Sequence, residues 1–219
     1  MAKYLLRLLF INVLFFLFVT ENAHAQKIVT LNDTITQHYF SFNEIETLED
    51  KSGKLTLDQI RNNPAVFSKF KPSEIFNPKV TDLNTTYWYR VRINHDKATK
   101  NNWLLEFFDQ TTDAIEIFSP NADNTYSSTH MGSSLPFSQR LFQHKNFSLN
   151  INSNLYGEHT YYIRLRSHQP ANVIVVLRSV SWFVHYALDE YFFFGVFYGM
   201  LLVFSLYNLM MFFAIRQTQ

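Results

Sequence analysis

The feature that most constrains this chain is an uncharged, strongly apolar run near its carboxyl end, Tyr191–Ile215. As a helix rising ~1.5 Å per residue, a run of this length reaches ~37 Å. The hydrocarbon core of a bilayer is only ~30 Å thick. A buried helix of a soluble protein is the alternative, but such a helix is rarely so long and apolar on every side. We therefore expect residues 191–215 to form one transmembrane helix.

The first 25 residues have the organisation of a secretory signal peptide. Lys3 and Arg7 precede an apolar run, and Ala23-His24-Ala25 has the small-x-small pattern that signal peptidase accepts. An anchor helix that is never cleaved is the alternative. Export of the following residues agrees with Arg216 after the membrane helix, because positive residues stay on the cytoplasmic side.

These two ends predict the domain organisation. The order is a signal peptide (1–25), an extracytoplasmic domain (26–181), a juxtamembrane segment (182–190), a transmembrane helix (191–215) and a cytoplasmic end (216–219). The chain has no cysteine, which is common in bacterial periplasmic domains. We therefore expect a bacterial inner-membrane protein with its amino-terminal domain in the periplasm. Because the sequence stops shortly after the span, we also expect a fragment of a longer receptor.

Between the two ends the sequence alternates as half-buried β-strands do. In residues 86–94 the side chains of Tyr87, Tyr89, Val91 and Ile93 fall on one face, and those of Trp88, Arg90 and Arg92 on the other. Further strands are predicted at Trp103–Phe108, Ala114–Ser119, Phe147–Ile151, His159–Ser167 and Val173–Val180. A capping box beginning at Thr56 predicts one short helix that ends at Asn62. Strands without intervening helices indicate an all-β fold, an antiparallel β-sandwich.

Arginines on two of these strands are the first candidates for ligand binding. Arg90, Arg92, Arg164 and Arg166 alternate along their strands, and Glu106 and Glu116 lie on others. If these strands are neighbours, one sheet face is rich in arginine, whose planar guanidinium can hold a carboxylate, a phosphate or sugar hydroxyls. A solvated face with cross-strand ion pairs is the alternative.

Aromatic residues supply further candidates. Trp88 shares a face with the arginines and could stack on a sugar ring, whereas Trp103 shares a face with Leu105 and is expected in the core. Tyr126 and Arg140 flank a predicted loop at residues 130–138, the kind of place where sandwich domains bind ligands.

Catalysis, metal binding and nucleic-acid binding have little support in the sequence. No GxSxG, HExxH or P-loop pattern is present. None of the eight histidines pairs with another at the spacing of a local metal site, and the missing cysteines exclude thiolate ligands and cysteine nucleophiles. The formal charge of +1 gives no electrostatic case for nucleic acid. We expect no enzyme activity and no cofactor.

The membrane helix carries two sets of small or polar residues. Gly195 and Gly199 form a GxxxG pair that lets another helix approach closely. Ser205 and Asn208 lie on a different side, and an amide in hydrocarbon needs a partner. Two packing faces favour a helix inside a bundle, with other membrane helices as partners. A lone anchor is the alternative.

The order of several short motifs resembles a known family. These motifs are Tyr87-Trp88-Tyr89-Arg90, Trp103-Leu104-Leu105-Glu106, Ile115-Glu116-Ile117-Phe118, Gly132, Pro136 and Tyr161-Tyr162-Ile163-Arg164. Together they resemble extracellular domain 2 of seven-transmembrane receptors with diverse intracellular signalling modules. Gly195 and Gly199 followed by Tyr207-Asn208-Leu209 are similar to the first membrane helix of that family.

The resemblance implies a jelly-roll, carbohydrate-binding-like domain on a seven-helix module with varied cytoplasmic outputs. This sequence contains one such helix and no output module. We therefore expect the sensor domain of a bacterial signalling receptor that responds to a small ligand such as a saccharide. The alternative is a structural or assembly module that binds another protein or a sibling receptor.

Overall fold

The structure is a computed structural model that describes residues 26–97 and 99–216. The predicted signal peptide, residues 1–25, lies outside the described residues, as do residues 217–219 of the predicted cytoplasmic end.

The described residues form short strands, two short helices and one long helix. In chain order the strands are β1 (Val29–Leu31), β2 (Gln37–Tyr39), β3 (Ile45–Asp50), β4 (Lys71–Pro72), β5 (Lys79–Val80), β6 (Thr86–His95), β7 (Trp103–Phe107), β8 (Ala114–Pro120), β9 (Tyr126–Met131), β10 (Phe147–Asn150), β11 (Gly157–Arg166), β12 (Ala171–Asn172) and β13 (Val175–Ser179). The α-helices are α1 (Leu57–Asn62), α2 (Pro64–Phe67) and α3 (Val180–Arg216).

Two sheets form a sandwich. The larger, seven-stranded sheet has the order β4-β3-β6-β11-β8-β9, with β1 also paired to β6. The four-stranded sheet has the order β10-β7-β13-β2, and β12 pairs with β5 in a separate two-stranded sheet. Among these pairings only β1 with β6 is parallel. The prediction of a mostly antiparallel β-sandwich followed by one apolar helix is confirmed.

The core lies between the inner faces of the two sheets. Tyr89 and Val91 of β6 are fully buried there against residues of the smaller sheet such as Leu105 and Leu177. Trp103 belongs to the same core, as its alternation predicts. The period of two along each strand, which places every second side chain inward, determines this arrangement.

A smaller apolar cluster covers part of the outer face of the larger sheet. Ile60 of α1 packs there against Leu48, Trp88 and Tyr162. Thr56 caps α1, because its hydroxyl accepts from the Gln59 N–H at 3.3 Å while the Gln59 side chain accepts from the Thr56 N–H at 3.0 Å. The short helix predicted from this capping box is therefore confirmed, and it holds one wall of a groove described below.

The long helix α3 begins without a linker and crosses the outer face of the smaller sheet. Its Val180 N–H donates to the Asn102 carbonyl at 2.8 Å, beside the first residue of β7. Leu104, Glu106 and Val176 point to the outer face of this sheet, yet each is 0% exposed. They are buried because the first turns of α3 lie over them. The helix then leaves the sandwich at the opposite end.

Within the described residues one helix is long and apolar enough to cross a membrane, over residues 180–215. The predicted juxtamembrane segment, residues 182–190, and the predicted span, residues 191–215, are parts of this single helix.

The strand predictions missed four members of the larger sheet, namely β1, β3, β4 and β9. β3 contains three acidic residues, and β9 contains Ser127, Ser128 and Thr129, so neither shows a clear apolar alternation. His130 and Met131 belong to β9 and not to a loop. Pairing with β6 and β8 respectively holds both strands in place.

Candidate ligand groove and helix junction

The pairing of strands aligns polar side chains in rows on the outer face of the larger sheet. One row runs across four strands as Trp88, Arg164, Glu116 and His130, each directly opposite the next. Arg164 Nη1 lies 3.5 Å from Glu116 Oε2, and His130 Nε2 lies 3.7 Å from Glu116 Oε1. This row sets a cation, a carboxylate and an imidazole side by side on a partly exposed surface.

A cavity of about 640 Å³ opens over this row between α1 and the β8–β9 hairpin. We call it the outer groove. Its charged lining residues are Lys54, Asp58, Arg61, Glu116 and Arg164. A volume of this size accommodates a small ligand, and three cations against two carboxylates leave a slight positive excess.

Trp88 lies at the floor of the outer groove. Its ring is 0% exposed, stacks on Phe118 with ring centroids 5.5 Å apart, and has the Arg164 guanidinium 5.8 Å from its centroid. The expectation that Trp88 offers an exposed face to a sugar is therefore wrong, because α1 and Phe118 cover it. Among the described residues, no group accepts a hydrogen bond from its Nε1. A buried donor without a partner is costly, but the covered ring supports the floor of the groove and does not present this donor to a ligand.

A tight turn after β3 fixes another wall of the outer groove. The Asp50 carboxylate accepts hydrogen bonds from the N–H groups of Ser52, Gly53 and Leu55 at 2.9–3.1 Å. Burial opposes ionisation of Asp50, but these bonds and one from the Ser52 hydroxyl outweigh it and lower its pKa. Gly53 adopts φ +64°, where glycine is favoured. Its carbonyl accepts a hydrogen bond from Arg164 Nη2 at 2.8 Å, so the turn orients the arginine.

Tyr126 lies in the same groove on the side of the hairpin. Its hydroxyl donates to the Thr160 carbonyl at 3.1 Å, and the Arg61 guanidinium lies 4.5 Å from its ring centroid. Burial raises the pKa of Tyr126, so the hydroxyl stays protonated. Sequence reasoning missed Lys54 and Arg61, since their position depends on how α1 packs against the sheet.

The other predicted arginines are placed apart from this groove. Arg90 pairs with Glu46 and its guanidinium lies 4.1 Å from the Phe67 ring, under α2. Arg92 of β6 donates from Nε to Glu158 at 2.8 Å, near the start of the neighbouring strand β11. Arg166 is exposed and lines a neighbouring cavity of about 400 Å³ that shares Glu116 and Arg164 with the outer groove. Cross-strand ion pairs, the alternative considered above, thus occupy Arg90, Arg92 and Arg164.

Arg140 lies at a third place, between the edges of the two sheets. It donates from Nη1 to the carbonyls of His144, at 2.9 Å, and Lys145, and stacks 4.5 Å from the Phe147 ring. The cavity that it lines, about 300 Å³, does not include Tyr126. The expectation that Tyr126 and Arg140 flank one site is therefore wrong, because β9 carries the chain across the sheet between them.

Glu106 does not face the arginines of the larger sheet. It lies in the smaller sheet beneath α3, where Arg178 Nε approaches Glu106 Oε2 at 2.6 Å and Asn146 Nδ2 donates to Glu106 Oε1 at 2.7 Å. Its expected place on an arginine-rich face is wrong, because β7 belongs to the other sheet. Burial raises the pKa of Glu106, and the Asn146 hydrogen bond and the Arg178 charge offset only part of that effect.

Aromatic rings from the sheet and from α3 enclose this ion pair. The Arg178 guanidinium lies 4.1 Å from the Trp182 ring centroid, 4.9 Å from that of Phe108 and 5.0 Å from that of Tyr186. Arg178 is 1% exposed. Such stacking on several rings favours a desolvated guanidinium.

Contacts further along α3 bind the helix to the segment before β10. Glu190 lies 3.3 Å from His144 Nε2 and forms an ion pair with Lys145. The Tyr191 hydroxyl donates to the Gln143 carbonyl at 2.7 Å. We call Glu106, Arg178, Asn146, His144 and Glu190 the junction. Arg178, Asn146 and His144 were not predicted from the sequence, since the pattern does not show that α3 folds back over the sheet.

The predicted helix-packing residues lie on an exposed part of α3. Apart from its chain neighbours and the nearby backbone of α3, a Cβ added at Gly195 or Gly199 would meet no described atom within 4 Å. The Asn208 side chain donates to the Phe204 carbonyl of its own helix at 2.9 Å. The packing role of these glycines and of Ser205 and Asn208 remains a prediction.

The comparison with protein families agrees with this architecture. The model of the family described as 7TMR-DISM extracellular 2 matches residues 43–179, more than half of the chain. The match ends at the last residue of β13, directly before α3 begins. No curated protein matches the sequence.

Proposed function

The chain belongs to the 7TMR-DISM extracellular 2 family, and on this premise we propose that it senses a small ligand outside the cytoplasm for a bacterial signalling receptor. An extracellular family joined to one apolar helix indicates a membrane protein with an extracellular amino-terminal domain. The proposal adds a periplasmic location, a jelly-roll topology, a cytoplasmic carboxyl end, and the remaining membrane helices and output module of a longer receptor. Arg216 after the uncharged run supports the orientation, because arginine and lysine are enriched on the cytoplasmic side of a membrane helix.

The observation that carries the proposal is the outer groove, a cavity of about 640 Å³ whose lining includes the partly exposed Arg164. The Arg164 guanidinium, partly satisfied by the Gly53 carbonyl and the Glu116 carboxylate, keeps further donors for a ligand. We therefore expect a polar ligand rich in acceptor oxygens, such as an acidic saccharide. Arg61 and Lys54 add positive charge for its carboxylate.

Signal transfer would use the direct passage from the sandwich into α3. A ligand can shift an equilibrium only through different affinities for its two states. Because the junction joins α3 to the smaller sheet over the helix's first turns, any shift between the two sheets would move the helix as a unit. A flexible linker would not transmit such a movement to the membrane helix. Residues 179–190 contain no glycine, so their composition is not that of a flexible linker.

The test of ligand sensing uses the full chain in lipid nanodiscs and a panel of neutral sugars, uronic acids and simple carboxylates. We expect at least one acidic sugar to raise the unfolding temperature. Arg164→Met should weaken that effect, because it removes the partly exposed guanidinium that lines the groove.

Arg92→Met is the matched control, since the Arg92 side chain is 33% exposed and ion-paired while that of Arg164 is 35% exposed and ion-paired. Equal loss of binding in both variants would contradict the groove as the site. In the full-length receptor, an output unaffected by every deletion within residues 26–179 would contradict the sensory role itself.

A further inference from the structure

The segment that connects β9 to β10 has an unusual composition for a surface loop. Residues 132–146 contain no aspartate or glutamate, but they include Arg140 and Lys145 and several large apolar residues. We call this segment the β9–β10 loop. It begins at Gly132, whose φ of +136° and close approach to the Asp113 carbonyl admit only glycine, since a Cβ there would lie 2.2 Å from that oxygen.

The β9–β10 loop lies at the end of the sandwich from which α3 departs. The helix starts beside Asn102 and reaches the loop at Glu190 and Tyr191. Tyr191 is the first residue of the uncharged run, and its hydroxyl donates to the carbonyl of Gln143 within the loop. The loop is therefore held level with the point at which α3 becomes fully apolar.

Two large apolar side chains of this loop are exposed at that level. Phe137 is 49% exposed and Leu141 is 47% exposed. Phe137 is not free to turn inward, because the Arg140 guanidinium stacks 4.7 Å from its ring while Arg140 itself is bonded to the loop backbone. Phe142, next to Leu141, packs on Phe183 of α3 with ring centroids 4.9 Å apart. The loop is thus fixed to the helix with these two side chains outside.

We propose that the β9–β10 loop docks on the bilayer and inserts Phe137 and Leu141 at the boundary between headgroups and acyl chains. Aromatic and aliphatic side chains flanked by basic residues and free of acidic ones suit this layer. The absence of carboxylates in the loop also favours the negative surface of an anionic membrane. The occupant is lipid because the surface is continuous with the apolar face of α3. The inference depends on one part of the proposed function, namely that α3 spans the membrane.

The test takes advantage of a chain without cysteine. Single cysteines at Phe137 and Leu141 carry a nitroxide label in the full chain, reconstituted in nanodiscs of phosphatidylethanolamine and phosphatidylglycerol. Paramagnetic relaxation by oxygen, which concentrates in lipid, is compared with relaxation by a water-soluble nickel chelate. Ala122→Cys, in the exposed turn between β8 and β9 at the other end of the larger sheet, is the matched control. Phe204→Cys in the middle of the uncharged run reports whether α3 spans.

We expect the ratio of oxygen to nickel relaxation at positions 137 and 141 to exceed that at position 122 several-fold. A ratio equal to that at position 122 would overturn the lipid contact. Low accessibility to both reagents would mean that protein covers the loop, which overturns it as well. A water-like ratio at position 204 would overturn the membrane span and the loop proposal together, whereas a lipid ratio there with water-like loop labels would overturn the loop proposal alone.

Discussion

The outer groove and the junction use the same residue types on the outer faces of two sheets, yet only one is open. In the groove the Arg164 side chain is 35% exposed and lies 3.5 Å from Glu116. At the junction the Arg178 side chain is 2% exposed and lies 2.6 Å from Glu106. The difference is α3, which lies over the smaller sheet and excludes water there. An arginine–carboxylate pair is thus available to a ligand in one region and structural in the other.

The largest effect is expected from breaking the pair at the junction. Arg178→Met leaves Glu106 without its counter-charge beneath α3, and loss of one partner of a buried ion pair costs about 3–5 kcal/mol. Chemical unfolding of the full chain, followed by tryptophan fluorescence, measures the change. The double variant Glu106→Gln with Arg178→Met should recover much of the loss. If Arg178→Met alone lowered the free energy of unfolding by no more than the loss of a surface ion pair does, water would have to reach the junction.

The next largest effect is expected in the pH dependence of stability, which differs between the junction and the outer groove. Because the folded-state pKa of Glu106 is raised from 4.5, the folded protein binds this proton more tightly than the unfolded chain does. Its contribution to stability is complete below pH 4.5 and is lost as pH rises through the raised pKa. Glu106→Gln should remove this loss in unfolding midpoints recorded from pH 4 to pH 8.

Asp50 supplies the opposite case when the same titration is extended to well below pH 3.8. Its pKa is lowered from 3.8, so its contribution is present above that pH and is lost as the solution becomes more acidic. Asp50→Asn should flatten only the acid limb, and an acid limb left unchanged would contradict the role of the turn that orients Arg164.

A smaller effect is expected from the equivalent change in the outer groove. Arg164→Met should reduce stability by about 1 kcal/mol or less, because partly exposed ion pairs contribute little. The same unfolding experiment measures it. A loss comparable to that of Arg178→Met would mean that the groove is as closed as the junction, which would remove the distinction on which its role as a ligand site depends.

The smallest effect on the folded domain is expected from Gly195→Leu with Gly199→Leu. Since a Cβ at either position meets no described atom within 4 Å apart from its chain neighbours and the nearby backbone of α3, the unfolding midpoint of the sandwich should not change. Self-association in membranes, measured by energy transfer between labelled chains, should also stay the same if α3 belongs to a bundle within one receptor. Loss of association would favour the assembly module instead.

Much of the sandwich could be predicted because β6 alternates from Tyr89 to His95 and β11 alternates from Ile163 to Arg166. The contacts of the junction could not be predicted in this way. In β7 every residue from Trp103 to Phe107 is buried. The alternation of its side chains separates the face toward the core from the opposite face, but it does not show that α3 covers that opposite face. Glu106 was therefore expected on the same arginine-rich face as Arg90 and Arg164. The groove was predicted in part, through Trp88, Tyr126 and Arg164, whereas Arg61 and Lys54 depend on the packing of α1.

The central claim is that α3 continues rigidly from the sandwich into the membrane, and one distance distribution tests it most directly. Nitroxide labels at Ala122→Cys and Met210→Cys of the full chain in nanodiscs report on the sandwich and on the membrane helix. Double electron–electron resonance should give a single narrow distribution that broadens in Arg178→Met. A broad distribution in the otherwise unaltered chain, of the width that a flexible tether gives, would contradict the claim.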